Sequence, residues 1–157
     1  MSSDKIKQAL ESIPYGVSVV TVGQGGVENG LTVSWFSQVS FHPPMIMIAV
    51  DSKHYSVEFL HSTKNFTLNL LGQDQKSMAA HFAKASDTQS GKLDGHSTRE
   101  AESGGTILTE ALAYIDCELH SSHQVGSHTM FVGKVVAAER LNDGLPLTTA
   151  SGLRYRK

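Results

Sequence analysis

The chain has 157 residues, a formal net charge of −2, 18% charged side chains and 39% hydrophobic content. That length suits one domain, residues 1–157, with a real core, and the near-neutral balance excludes the basic field that nucleic acid or an anionic membrane would call for. Cys117 is the sole cysteine, so no intrachain disulfide can form, which fits a reducing cytoplasm. The polar start (SSDKIKQ) and the lack of any run of about 18 apolar residues argue against a leader or a spanning helix.

Ser3 can cap a short helix carrying Ile6, Ala9, Leu10 and Ile13 at helical spacing, ended by Pro14. Gly16 to Val22 reads as a strand, and Gly23 to Gly30 as the hairpin loop after it. Glu28 stands three residues beyond Gly25 and a strand follows, so the dinucleotide fingerprint is not met. Asn29-Gly30 is a favoured turn pair, and the chain after it as far as Phe41 reads as one extended segment in which Val33, Trp35 and Val39 sit among Thr32, Ser34, Gln38 and Ser40. His42-Pro43-Pro44 stops it, and Met45 to Val50 is an apolar, buried-strand run. Small hydroxyl and amide groups crowd the first of these segments, and such groups are costly inside unless something hydrogen-bonds to them.

Asp51 to Ser56 is a turn before a short helical run with Val57, Phe59 and Leu60. Asn65 to Leu71 is a strand, and Asp74 to Lys84 a helix with Met78, His81 and Phe82 on one face. Ala85 to Thr106 is polar and Gly/Ser-rich, a long excursion of the kind that serves as a lid or stays disordered. Ala113 to His120 and His128 to Leu141 are two further strands joined around Gly126. At least six strands, few helices and hairpin spacing predict a mainly β fold, a closed antiparallel barrel.

Several of these pieces together resemble the flavin reductase-like FMN-binding split-barrel family. They are Ile13-Pro-Tyr-Gly-Val17 with Val19-Val-Thr21, Gly30-Leu-Thr-Val-Ser34 with Ser37-Gln-Val-Ser40 and Pro43-Pro44, Asn65 to Leu71, Ala80-His-Phe-Ala83, and Gly126-Ser-His128 with its following strand. The resemblance runs from about Ile13 to Val136 in the right order. It implies a split β-barrel with a few short flanking helices, FMN as cofactor, NAD(P)H as co-substrate and a homodimer with the flavin at its seam. Ser127 stands where the family usually has Asp.

Carried over residue by residue, the resemblance lays the isoalloxazine against Thr32, Ser34, Trp35, Phe36, Ser37, Gln38 and Ser40. Short side chains and exposed backbone groups suit close approach of a planar ring; taken alone, the same residues also suit a wetted strand face, and Trp35 or Phe36 plain core packing. Lys53, Tyr55 and Ser56, with Ser52, form the expected phosphate turn, since a lysine, hydroxyls and a helix N-terminus all favour an anion. Without the resemblance they read as a solvated turn. Phe82 would flank the cofactor, and His128 would stand beside flavin and nicotinamide as the catalytic residue, where the plainer reading is a histidine capping a turn. No metal site is expected: His120 and His123 point to opposite faces of a strand, and HExxH and a second cysteine are both missing.

The resemblance thus implies an FMN-dependent NAD(P)H oxidoreductase passing electrons to an acceptor. The Trp35-Phe36-Ser37-Gln38-Val39-Ser40-Phe41 segment keeps a second reading open, an FMN electron-transfer protein of the flavoredoxin or rubredoxin-partner type with little direct NAD(P)H activity. A third is a barrel that only binds a phosphorylated ligand.

Overall fold

β-Branched residues set the frame. Val19, Val20, Thr21 and Val22 form the middle of β1 (Ser18–Gln24), which folds back on β2 (Val27–Val33) with Ser18 opposite Val33 and Gln24 opposite Val27. This computed structural model describes residues 2–24, 27–84 and 92–151. The other strands are β3 (Phe36–Phe41), β4 (Pro44–Asp51), β5 (Asn65–Leu70), β6 (Thr98–Glu100), β7 (Thr106–Leu108), β8 (Ala113–Val125) and β9 (His128–Arg140). Three helices accompany them: α1 (Ser3–Glu11), α2 (Ser56–Thr63) and α3 (Lys76–Ala83). None is long and apolar enough to cross a membrane.

Seven strands make one antiparallel sheet in the order β2-β1-β5-β8-β9-β4-β3. The two edges, β2 and β3, are separated in sequence by only Ser34 and Trp35. Three residue steps span at most about 11 Å, so the sheet must roll until its edges nearly meet. The apolar residues agree: Val20, Val22, Leu31 and Val33 from one end share a buried cluster with Ile46, Ile48, Val50 and Phe131 from the other.

The closed barrel expected from the sequence is corrected here. Among the described residues no ladder joins β2 to β3, and the sheet is rolled but open along that seam. The single extended segment expected after Asn29-Gly30 and up to Phe41 is two strands, and Asn29 and Gly30 lie within the first of them instead of in a turn. Its first part pairs with β1 and its second with β4, and the chain changes ladders at Ser34-Trp35, where the Trp35 carbonyl accepts the Ala49 N–H (2.8 Å).

Two helices close the open faces of the roll. Leu60 of α2 is fully buried, as are Met78, Ala79 and Phe82 of α3 to within 8% exposure. α3 can lie tightly on β2 because Gly30 has no side chain: a Cβ there would sit 2.7 Å from the Phe82 ring. α1 buries nothing, and its Ile6 and Leu10, like Ile13 beyond its end, are exposed.

The expected lid, Ala85 to Thr106, turns out to be partly packed structure. Residues 85–91 lie outside the described residues. Beyond them β6 pairs with β7, and the turn between them is tied to the sheet by Asp116, fully buried, which accepts from the Ser103 N–H (2.8 Å), Ser103 Oγ (2.7 Å) and Thr67 Oγ1 (3.0 Å). Its low hydropathy hid this because the turn is held by polar bonds and not by apolar packing. Toward the C-terminus Leu147 is buried and bridges Leu71 and Val17 through backbone hydrogen bonds, while the expected basic tail from Arg154 lies outside the described residues.

Candidate active site

The open seam collects most of the residues singled out from the sequence. Thr32 is half-buried, with Oγ1 donating to the Ala79 carbonyl of α3 (2.6 Å), and Ser34 is buried. Trp35 emerges between the two edges, 43% exposed, with its ring 4.6 Å from His128 and 6.3 Å from Tyr15. Phe36 turns inward onto Gly16, where a Cβ would come within 2.8 Å of its ring. Ser37 and Gln38 are exposed along β3, and Ser40 is half-buried after an irregularity at Val39. Among the described residues β3 pairs only with β4, and as an edge strand it presents backbone N–H and C=O groups outward.

His128 begins β9 opposite Asp51, the last residue of β4, so strand register alone brings the histidine to the turn that follows β4. The two are then stitched together. Ser52 donates its N–H to the Ser127 carbonyl (3.0 Å), its hydroxyl meets Thr129 Oγ1 (2.9 Å), and Gln124 Nε2 donates to Ser52 Oγ (3.1 Å). Ser127 Oγ and His128 Nδ1 share a hydrogen bond of 2.9 Å, so a serine holds the imidazole where an aspartate was expected.

In the turn itself Lys53 is exposed, and its backbone N–H is taken by Asp51 Oδ1 (2.9 Å). Ser56 is fully buried: its hydroxyl accepts from Asn29 Nδ2 (2.8 Å) and its N–H donates to His54 Nδ1 (3.1 Å). Tyr55 packs edge-on to Phe59 at 5.3 Å, burial pushes its phenol up, and its buried hydroxyl has no hydrogen-bond partner among the described residues. Phe82 is placed differently from the rest. At 1% exposure it lies in the core behind β2 and supports the seam without opening onto it.

Sequence reading passed over three residues that the fold delivers here. Asn29 and His54 bracket Ser56, and Lys92 donates from Nζ to the Phe82 carbonyl (3.1 Å). Their only signals were a turn-forming Asn-Gly pair, one of eight histidines and a lysine inside a polar stretch. Elsewhere, a groove of about 580 Å³ runs between α3 and the 142–143 turn, lined by Asp74, Glu110 and Asp143. Its carboxylates suit an anionic ligand poorly. Cys117 carries no chemistry at the seam: it is fully buried, and burial together with nearby Asp116 pushes its thiol up to about 12. Among the described residues no three His, Cys, Asp or Glu side chains cluster as metal ligands.

The structure is that of a mainly β protein, a rolled antiparallel sheet whose seam is open among the described residues and carries hydroxyl side chains and a tryptophan–histidine pair. The chain belongs to the flavin reductase like domain family, whose pattern matches residues 10–155. It is 31% identical over 159 residues to an NADH-dependent FAD reductase of Streptomyces globisporus, covering 98% of this chain and 84% of that one. It is 34% identical over 161 residues to putative diflavin flavoprotein A 4 of Synechocystis, covering 99% of this chain but only 26% of that protein. The chain thus spans about a quarter of the diflavin flavoprotein it matches. Among solved structures, the Streptomyces globisporus C-1027 NADH:FAD oxidoreductase superimposes with a TM-score of 0.87 at 28% identity, over 100% of this chain and 95% of that one.

Proposed function

We propose that this protein is a flavin-dependent NAD(P)H oxidoreductase of the flavin reductase type, a rolled split barrel that takes FMN at the β2–β3 seam. The observation that carries the reading is the Trp35–His128 pair standing beside the free edge of β3, in a chain that belongs to the flavin reductase like domain family. When bound, the flavin supplies the hydride acceptor, its N5, for nicotinamide C4.

The donor set suits such a group. The β3 edge offers alternating backbone donors and acceptors to a heteroaromatic rim, with Ser37 and Gln38 at its surface and no bulky side chain between. Trp35 supplies apolar cover, and the Lys53–Ser56 turn takes the phosphate. His128, held by Ser127, orients the reductant and can hold a proton at Nε2. A second copy of the chain covers the seam, giving a homodimer, and the single buried thiol suits a cytoplasmic setting.

Anaerobic mixing of the FMN-loaded protein with NADH and NADPH tests the reading. Bleaching of the flavin band, near roughly 450 nm, within the time of a turnover supports a reductase. The match to a quarter-length segment of a diflavin flavoprotein favours the second reading, an electron-transfer module. That module would hold FMN but bleach slowly with either nucleotide and fast with a reduced protein partner.

A further inference from the structure

The His128 ring is held on a face and at an edge. Trp35 lies against it with ring centroids 4.6 Å apart, and Nδ1 stands 2.9 Å from Ser127 Oγ. Nε2 has no hydrogen-bond partner among the described residues. The histidine is half-buried, and the serine is exposed at the tip of the β8–β9 hairpin. That tip is itself fixed. Gly126 turns it with a φ of 54°, a left-handed geometry that suits glycine. Gln124 Nε2 spans the Gly126 carbonyl (3.3 Å) and Ser52 Oγ (3.1 Å), and the Ser52 N–H donates to the Ser127 carbonyl (3.0 Å).

Which ring nitrogen carries the proton follows from the chemistry of the pair. A hydroxyl both donates and accepts, whereas a neutral imidazole has one N–H and one bare nitrogen. The bare nitrogen is far more basic than an alcohol oxygen, so the stronger bond has the Ser127 O–H donating to Nδ1. The ring proton then stands on Nε2. When the imidazole gains a second proton, Nδ1–H donates to the same Oγ and the hydroxyl hydrogen turns to water. Nε2 keeps its proton in both charge states. A carboxylate at position 127 would act in the opposite way. It only accepts, so it would draw the single N–H of the neutral ring to Nδ1 and leave Nε2 bare.

We propose that Ser127 is a positioning residue that fixes His128 as the Nε2–H tautomer, making it a hydrogen-bond donor to the carboxamide carbonyl of the bound nicotinamide whether or not the ring is charged. This rests on the reductase reading above. The serine that stands where the resemblance led to aspartate thereby decides whether neutral His128 donates or accepts.

Two measurements on the wild type, Ser127→Thr, Ser127→Ala and Ser127→Asp test it. The first is long-range proton–nitrogen correlation NMR of the ligand-free protein at about pH 9, where an unperturbed imidazole is neutral, with His128→Gln identifying the signals by difference. The wild type and Ser127→Thr should show a protonated Nε2 and a bare Nδ1, Ser127→Asp the reverse, and Ser127→Ala a mixture. The second is the KM for NADH and for NADPH in flavin reduction between about pH 7 and about pH 9, each variant taken as a ratio to the wild type. Among the described residues the other titrating groups around His128 are Asp51 opposite it in register, Lys53 and His54 in the turn, His123 on β8, and Tyr15 beside Trp35. All are common to wild type and variants, so the ratio isolates position 127. A neighbouring carboxylate favours the imidazolium and raises its pKa, so in Ser127→Asp the Nε2 proton is lost as the pH rises through this window. Its KM ratio should rise about 3- to 10-fold across it, the scale of one hydrogen bond, with a smaller change in kcat. The ratio for Ser127→Thr should stay flat. A wild-type His128 with its proton on Nδ1, a flat KM ratio in Ser127→Asp, or a Ser127→Ala unchanged in both measurements would overturn the proposal. A wild type with the Nε2–H tautomer that reduces no flavin with either nucleotide would keep Ser127 as the tautomer lock, overturn nicotinamide as its partner and remove the reductase reading, so the two failures are read separately.

Discussion

Trp35 and His128 face each other across the seam with ring centroids 4.6 Å apart and planes inclined by 37°. Neither residue is near the other in sequence. Trp35 is thrown out where the chain leaves β2 for β3, and His128 is carried there by its register opposite Asp51. The pair forms a wall against which a flat ring can be aligned. His128→Ala should therefore slow single-turnover flavin reduction by NAD(P)H by roughly 10- to 100-fold, the scale of losing alignment at a reacting centre. FMN occupancy should change little, and the emission of Trp35, the only tryptophan, should change as its stacked neighbour is removed. Unchanged reduction in a protein that merely melts earlier would reduce His128 to a turn residue.

Asp116 is the polar anchor of the β6–β7 turn, taking three donors in a fully buried position. Asp116→Ala removes the acceptor that all three share, and losing a hydrogen bond to a charged group costs about 1.5–3 kcal/mol. The variant should lose about 2–4 kcal/mol in urea unfolding. Thr67→Val, which removes one donor together with its need, should lose about 1 kcal/mol.

His54 gives the fold a pH dependence of known sign. Its folded value lies below the ordinary 6.5, so in the window between the two the unfolded chain binds a proton that the native protein refuses. The stability it contributes is complete above about pH 6.5. It falls as the pH drops through that value and levels off below the folded value. Urea midpoints measured from pH 7.5 downward should decline, and His54→Asn should flatten that decline. An identical slope in the variant would assign the pH dependence to other groups.

The edge strand β3 carries Val39, 52% exposed, and Phe41, 76% exposed. An unpaired edge bearing large apolar side chains is a template for another chain, and closed two-fold dimers are the commonest solution. Sedimentation of the FMN-loaded protein at micromolar concentration should give twice the 16.9 kDa chain mass. Phe41→Lys should shift it toward monomer and loosen FMN in step. A monomer that keeps FMN with undiminished affinity would disprove the shared seam.

Local pattern carried a great deal of this molecule. β-Branched content placed β1, an apolar run placed β4, proline chemistry placed the stop before it, and helical spacing placed the three helices, because each depends on neighbours a few residues away. The β1–β2 hairpin was expected with a loop from Gly23 to Gly30, but Gly23, Gln24 and Val27 to Gly30 all belong to the paired strands, since pairing with β1 overrides the turn preference of Asn29-Gly30. The resemblance then named the seam residues and His128. What the chain could not show is whatever depends on which strands meet. The break at Ser34-Trp35 follows from a change of ladder partner, and the rolled but open sheet follows from where the two edges end up. Lys92 is the clearest case. In sequence it is one lysine in a polar stretch, and only tertiary packing sets its Nζ on the Phe82 carbonyl and brings it close enough to His54 to add to burial in holding that imidazole down. Long-range contacts of this kind leave no period in the sequence, since they are set by where the sheet rolls and not by what stands next in the chain.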